Sequence, residues 1–284
     1  MTRLVLLGTL KNHGRAGSRY GRLSARRPRV PAVFTIATII RHELTLKGNR
    51  QTKMNDLEER IQKLTRWIHE AVNIVILTGA SISTESGLPN VRRPESVWTN
   101  HDKELPTKFR LFTSVEPNAC HRAIVELQNL GKLRYLITQN VDNLHLRSGI
   151  RPELLAELHG NVTRLRCERC QTQVAKSLGL EKCSCGGKLV SSVINFGEPV
   201  PQKDLEDSFW HSSQCDLFIV VGSSLVVGPA NELPEIALRG RARLVIINQG
   251  ETPMDSRCHL RFDEDIAEVL PPVVNRLKAV MKKD

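Results

Sequence analysis

Four cysteines constrain this chain more than any other feature. Cys167 and Cys170 form a C-x2-C pair, Cys183 and Cys185 a C-x-C pair, and 12 residues separate the two. Four thiolates so spaced suit one tetrahedral Zn2+ with a closed shell. No coordination position is left for water, so such a metal holds structure and performs no chemistry. The expectation is a small zinc-binding module over residues 163–193. The alternative is a metal-free redox cluster. Seven cysteines is an odd number, and Cys120, Cys215 and Cys258 are scattered through other segments. No secretory signal is legible, and a chain of 284 residues can bury a core without staples. Both points favour a reducing compartment and metal over disulfides.

Charge divides the chain. Residues 1–53 carry 12 Lys/Arg and one acid, Glu43, whereas residues 54–284 carry 29 basic and 29 acidic side chains. The formal net charge of +11 therefore belongs wholly to the first 53 residues, and the rest is balanced. Three readings of that basic extension stay open: a start assigned too early, with translation beginning at Met54; a disordered or targeting segment of transit-peptide type; or a nucleic-acid arm. The apolar run over residues 33–40 is too short for a membrane span, which needs roughly 20 residues. A charge-neutral core with few aromatic residues gives poor support for nucleic-acid binding. The expected location is cytoplasmic, or mitochondrial if residues 1–53 are a genuine transit peptide.

From Met54 onward the pattern is α/β. Leu57, Ile61, Leu64 and Ile68 repeat at helical spacing. Short, wholly apolar runs at residues 74–77, 136–138, 217–221 and 244–247 predict strands of a parallel sheet covered on both faces. Small and polar residues close each run: Gly79-Ala80-Ser81, Gln139-Asn140-Val141-Asp142, Gly222-Ser223-Ser224 and Asn248-Gln249. Ligands of such sheets bind at the carboxyl ends of strands. Small residues there let backbone N–H groups approach a pyrophosphate. The full G-x-G-x-x-G fingerprint is absent, so the convergence of four clusters carries the expectation.

An ordered set of motifs then resembles the sirtuins, NAD-dependent protein deacylases. It comprises Thr78 to Arg92, Pro117-Asn118 with His121, Thr138 to His145, and Glu157-Leu158-His159-Gly160. The four cysteines, Phe196-Gly197-Glu198, Gly222-Ser223-Ser224-Leu225 with Pro229-Ala230, and Ile247-Asn248 complete it over roughly residues 55–280. The resemblance implies a doubly wound, Rossmann-like NAD-binding domain over 54–284, with a helical insertion at 90–120 beside the zinc module. It implies NAD and one structural Zn2+ as cofactors, and acyl-lysine proteins or peptides as partners. It makes His159 the general base on a ribose hydroxyl, with Asn140 and Asp142 in the catalytic nicotinamide pocket. Gly79, Ala80, Ser81, Glu85, Asn90, Arg92, Gln139, Gly222, Ser223, Ser224 and Asn248 would bind the cofactor. The substrate peptide would lie between two extended segments, along Val193, Ile194, Phe196 and Gly197 on one side and Leu225 and Val226 on the other, as an added strand.

Several residues depart from the sirtuin pattern. Ser81 stands where a second glycine is usual, and would carry a cost if the backbone there needed positive φ. Asn90-Val91 replaces the usual Asp-Phe, and Arg93 and Ser96 replace glycines of the following loop. A smaller lid over nicotinamide keeps two alternatives open: an ADP-ribosyltransferase or NAD hydrolase on the same fold, and a non-catalytic NAD or ADP-ribose sensor. No convincing Tyr/Arg pair for an acidic acyl group is present.

Overall fold

The computed structural model describes residues 54–88, 112, 114–195 and 197–282. Its first element is helix α1 (residues 54–70), whose Ile61, Leu64 and Ile68 are buried as the periodicity requires. Strand β1 (Ile74–Thr78) follows and is buried at every position. After it come α2 (Ala119–Asn129), β2 (Leu133–Thr138), α3 (Leu144–Ser148) and β3 (Leu155–Glu157). β4 (Arg164–Cys167), β5 (Gln173–Ala175) and β6 (Leu189–Ser191) are next, then α4 (Gln202–Gln214), β7 (Leu217–Val221), α5 (Leu233–Arg239), β8 (Arg243–Ile247), β9 (Leu260–Phe262) and α6 (Ile266–Met281).

Six strands form one parallel sheet in the order β3-β2-β1-β7-β8-β9. Counting only these strands, the order is 3-2-1-4-5-6, that of dinucleotide-binding domains, with its topological switch between β1 and β7. Burial explains the composition: alternate residues of a strand face opposite ways, and helices cover both faces. Ile74, Ile76, Ile219, Val221, Val245 and Ile247 pack on one side with α1, α2 and α6. Val75, Leu77, Phe218, Val220, Leu244 and Ile246 pack on the other, with residues of α4 and α5. Removing any one large side chain from these layers costs about 2–5 kcal/mol.

The three remaining strands make a separate antiparallel sheet, order β5-β4-β6, beside the cysteines. The chain leaves the main sheet after β3, builds this small sheet and returns through Ser192 to α4. Most of the expected insertion at 90–120 lies outside the described residues, which include 112 and 114–120 of it. Its last part holds Asn118, which accepts the backbone N–H groups of Cys120 and His121 and so caps α2.

Candidate active site at the sheet switch point

The crevice at the switch point is formed by backbone in very close contact. Gly79 directly follows β1, and its N–H donates to the Val221 carbonyl at 3.0 Å. A Cβ at position 79 would lie 2.7 Å from the Gly222 oxygen and 2.8 Å from Ser223 Cα. Gly222 itself has φ +68 and leaves no room for a Cβ beside the Ile82 nitrogen. Both glycines are thus demanded by the packing of the two strand ends that line the crevice. Gly79→Ala should weaken NAD binding by roughly tenfold or more, since forcing a methyl group against backbone costs about 1–3 kcal/mol. Titration calorimetry with NAD measures this, and unaltered affinity would contradict it.

Ala80 and Ser81 open a 3-10 turn, Ala80–Ser86, directly after Gly79. Ser81 is not among the residues with positive φ, so serine in place of glycine carries no backbone strain. Its N–H reaches the Gly222 carbonyl at 3.2 Å. Glu85 is exposed on the same turn. Asn90 and Arg92, with Val91, Arg93 and Ser96, lie outside the described residues.

The loop after β2 supplies a buried polar network. Asn140 Nδ2 donates to the Gly79 carbonyl and to Ser83 Oγ, each at 3.2 Å. Ser83 Oγ donates to Asp142 Oδ2 at 2.7 Å, and Asp142 Oδ1 accepts the Leu144 N–H at 2.9 Å. Burial pushes the Asp142 carboxyl above the usual carboxylate range, and these two donors oppose the shift. Asp142 therefore stays near the site as an acceptor fixed on both oxygens. Ser223 Oγ donates to Gln139 Oε1 at 2.6 Å, joining the β2 and β7 loops across the crevice.

His159 sits two residues beyond β3, half-buried, with Nδ1 2.8 Å from the Gln139 carbonyl. A carbonyl can only accept, so Nδ1 carries the proton and Nε2 is left as a base. Burial lowers the His159 pKa below its ordinary value, and the Gln139 carbonyl partly opposes that. The adjacent Gly160 has φ +77, and a Cβ there would fall 1.9 Å from the Ser192 oxygen. Only glycine permits the turn that presents His159.

Asn248 directly follows β8 and is buried. Its Nδ2 donates to the Gln249 and Gly250 carbonyls at 3.0 and 3.1 Å, while its Oδ1 is buried without a partner among the described residues. An orphaned acceptor at a strand end beside the crevice fits a ligand that brings a donor, as the ribose of a dinucleotide does. Ser224 is partly exposed beside Ser223. Gly79, Ala80, Ser81, Gln139, Asn140, Asp142, Ser223 and Asn248 thus converge on the carboxyl edge of neighbouring strands, as does Gly222.

The four cysteine sulfurs all lie within 4.8 Å of one another. Cys167 and Cys185 are 3.5 Å apart, Cys170 and Cys183 3.6 Å, and Cys170 and Cys185 3.4 Å. Zn–S bonds of about 2.3 Å place tetrahedral sulfurs roughly 3.8 Å apart, so the donor set fits zinc. The four side chains converge from the end of β4, the turn after it and the turn that precedes β6.

The two segments expected to be extended on either side of a peptide are so only in part. Val193 and Ile194 are half-buried, and the Ile194 N–H donates to the His159 carbonyl at 2.9 Å. Phe196 lies outside the described residues. Gly197 has φ +87 and is not extended. Leu225 is also left-handed, φ 57, with its side chain in the core because its N–H is drawn to Ser223 Oγ. Val226 alone of that pair is exposed. Sequence reading also missed Ser83 and Asn161. The hydroxyl-rich run after Gly79 carried a signal for the first, and only the position after His159-Gly160 pointed to the second.

The Sir2 family profile matches residues 106–229. NAD-dependent protein deacetylase 1 of Bradyrhizobium diazoefficiens is 38% identical over 247 residues, covering 78% of this chain and 97% of that protein. NAD-dependent protein deacetylase SRT1 of Arabidopsis thaliana is 34% identical over 78% of this chain, which spans only 50% of the plant enzyme's length. A solved Sir2 complex with a p53 peptide and NAD+ is 34% identical, with a TM-score of 0.60, and covers 78% of this chain and 98% of that one.

Proposed function

This chain belongs to the Sir2 family of NAD-dependent protein deacylases, and we propose that it removes acyl groups, acetyl among them, from lysine side chains with His159 as general base. The observation that carries the reading is the His159 Nδ1 bond to the Gln139 carbonyl, which leaves Nε2 free beside the switch-point crevice. NAD supplies the chemistry of a ribose whose nicotinamide can leave and whose hydroxyls can take up the acyl group.

The chain's own residues do the rest. Gly79, Ala80, Ser81, Gly222, Ser223 and Ser224 line the phosphate and ribose part of the crevice, and Asn248 Oδ1 accepts from the adenosine side. Glu85, Asn90 and Arg92 belong to the same cofactor loop. Gln139 orients the nicotinamide ribose, with its Oε1 fixed by Ser223. Asn140 and Asp142 line the nicotinamide pocket as a rigid pair joined through Ser83. His159 Nε2 takes a proton from a ribose hydroxyl, a step for which a positioned base supplies about 10²–10⁴-fold. The acyl-lysine peptide lies along Val193, Ile194, Phe196 and Gly197, with Leu225 and Val226 opposite. Because Leu225 faces the core, its contribution is main-chain only.

Zinc is held by Cys167, Cys170, Cys183 and Cys185 and keeps the 163–193 module folded. Residues 54–284 form the catalytic domain, including the 90–120 insertion, and residues 1–53 stand outside it. Among the described residues no helix is long and apolar enough to cross a membrane. We further propose that it works in the cytoplasm, where thiolates stay reduced, on protein and not nucleic-acid partners. Fractionation of cells with an antibody to the catalytic domain checks the location; recovery from mitochondria with residues 1–53 removed would contradict it. Incubation with NAD and a panel of acyl-lysine peptides tests the reaction, and the best peptide identifies the acyl class.

A further inference from the structure

Asn161 meets every side-chain hydrogen bond an amide can make, and its three partners belong to three different parts of the site. It is wholly buried. Nδ2 donates to Glu157 Oε1 at 2.6 Å and to Asn143 Oδ1 at 2.8 Å. Oδ1 accepts the Thr163 N–H at 2.9 Å and the Thr163 hydroxyl at 2.7 Å. Two donors and two acceptor positions exhaust the group. The Asn161 backbone is also gripped: its N–H donates to Ser192 Oγ at 3.1 Å, and Ser192 Oγ donates to its carbonyl at 2.7 Å.

These partners have meaning by position. Glu157 ends β3, two residues before His159. Asn143 belongs to the loop of Gln139, Asn140 and Asp142, and holds a left-handed φ of 65. The neighbouring Val162 N–H donates to the Val141 carbonyl at 2.9 Å, a second tie to that loop. Thr163 is where the chain enters the zinc-binding module, and Ser192 is where it leaves, one residue before Val193. A single residue therefore joins the turn presenting the base, the nicotinamide loop and both crossings of the module that bears the peptide segment, the first three through its side chain and the exit at Ser192 through its backbone.

We propose that Asn161 is a positioning residue that sets the register of the acyl-lysine peptide against His159 and the nicotinamide loop. This rests on the deacylase reading above. Asn161 touches neither substrate; it acts by fixing the origin of the Val193–Ile194 segment, whose Ile194 N–H is tied to the His159 carbonyl. Loss of its amide donors unties the residue that clasps Ser192 from Glu157 and Asn143, and so shifts the peptide segment relative to the base while leaving the phosphate crevice at Gly79 and Gly222 untouched.

The test compares wild type, Asn161→Asp, and Asn161→Asp combined with Glu157→Gln, by steady-state kinetics and by calorimetry with NAD. The single change removes both amide donors and sets a carboxylate against Glu157. The double change restores that bond with donor and acceptor exchanged. Expected for the single variant is a peptide KM raised roughly tenfold, the equivalent of about one buried hydrogen bond, with NAD affinity and zinc content unchanged. The double variant should recover most of the loss. Should Asn161→Asp not fold, Ser192→Ala gives the same signature at smaller size by freeing only the backbone clasp. Wild-type turnover with unaltered peptide KM in these variants, or equal loss of NAD and peptide binding, overturns this inference alone. A wild-type protein silent on every acyl peptide overturns the deacylase reading and this inference with it.

Discussion

His159→Ala is expected to lower deacylation by about 10²–10⁴-fold, the contribution of a positioned general base, while NAD affinity stays within a fewfold of wild type. The imidazole contacts the Gln139 carbonyl and otherwise faces the crevice, so its removal leaves the Gly79–Gly222 contacts intact. The pH profile carries the same signature. A base works when neutral, and burial holds the His159 pKa below 6.5. Activity should therefore rise with pH through a midpoint under 6.5, and this limb should vanish from the residual activity of the alanine variant. Initial rates across a pH series measure both; a wild-type midpoint above 6.5 would mean an anionic neighbour that the structure does not contain among its described residues.

Stability must be separated from that limb. His121, near the floor of the site, is pushed down to about 4 by burial, with Arg122 adding to the shift, and His145 is also lowered by burial. The folded state then binds fewer protons than the unfolded chain. Stability from this pair is full above pH 6.5 and falls as pH drops toward 4. Glu157 acts in the opposite sense: burial raises it to about 7, so its contribution is full below about 4.5 and is lost as pH rises toward 7. Rates should be read where thermal unfolding shows the fold intact.

Cys167→Ala is expected to abolish zinc binding and most activity together. Structural zinc contributes roughly 10–16 kcal/mol to a small metal module at neutral pH, far more than the short strands β4, β5 and β6 can replace. Cys167 is both a ligand and the last residue of β4, paired with Leu189 of β6. Loss of the module frees Thr163 and Ser192, and through Asn161 the turn of His159. Metal analysis beside the activity assay checks this; full turnover in protein shown to be metal-free would refute it.

The parts legible in the sequence share one property, namely that a local pattern carried them. The runs at β1, β7 and β8 are wholly apolar because both sheet faces are covered, and the polar residues behind each had to gather on one edge. The cysteine spacing gave the metal module directly. Strands β3 and β9 were not foreseen, since three residues, one of them the buried Glu157, show no period. The extended backbone expected at Leu225 gives way to a left-handed turn, because its N–H is bonded to Ser223 Oγ, a local contact that no periodicity announces. Asn161 escaped because its role is tertiary: its partners lie at positions 143, 157, 163 and 192, and no spacing announces them.

The most direct measurement follows nicotinamide and deacylated peptide together, by mass spectrometry, in residues 54–284 supplied with NAD and an acetyl-lysine peptide. Equimolar formation of both, requiring the peptide and lost in His159→Ala, is the expected result. Nicotinamide released at the same rate without any peptide would contradict it, and would make the cleft an NAD hydrolase or ADP-ribosyltransferase.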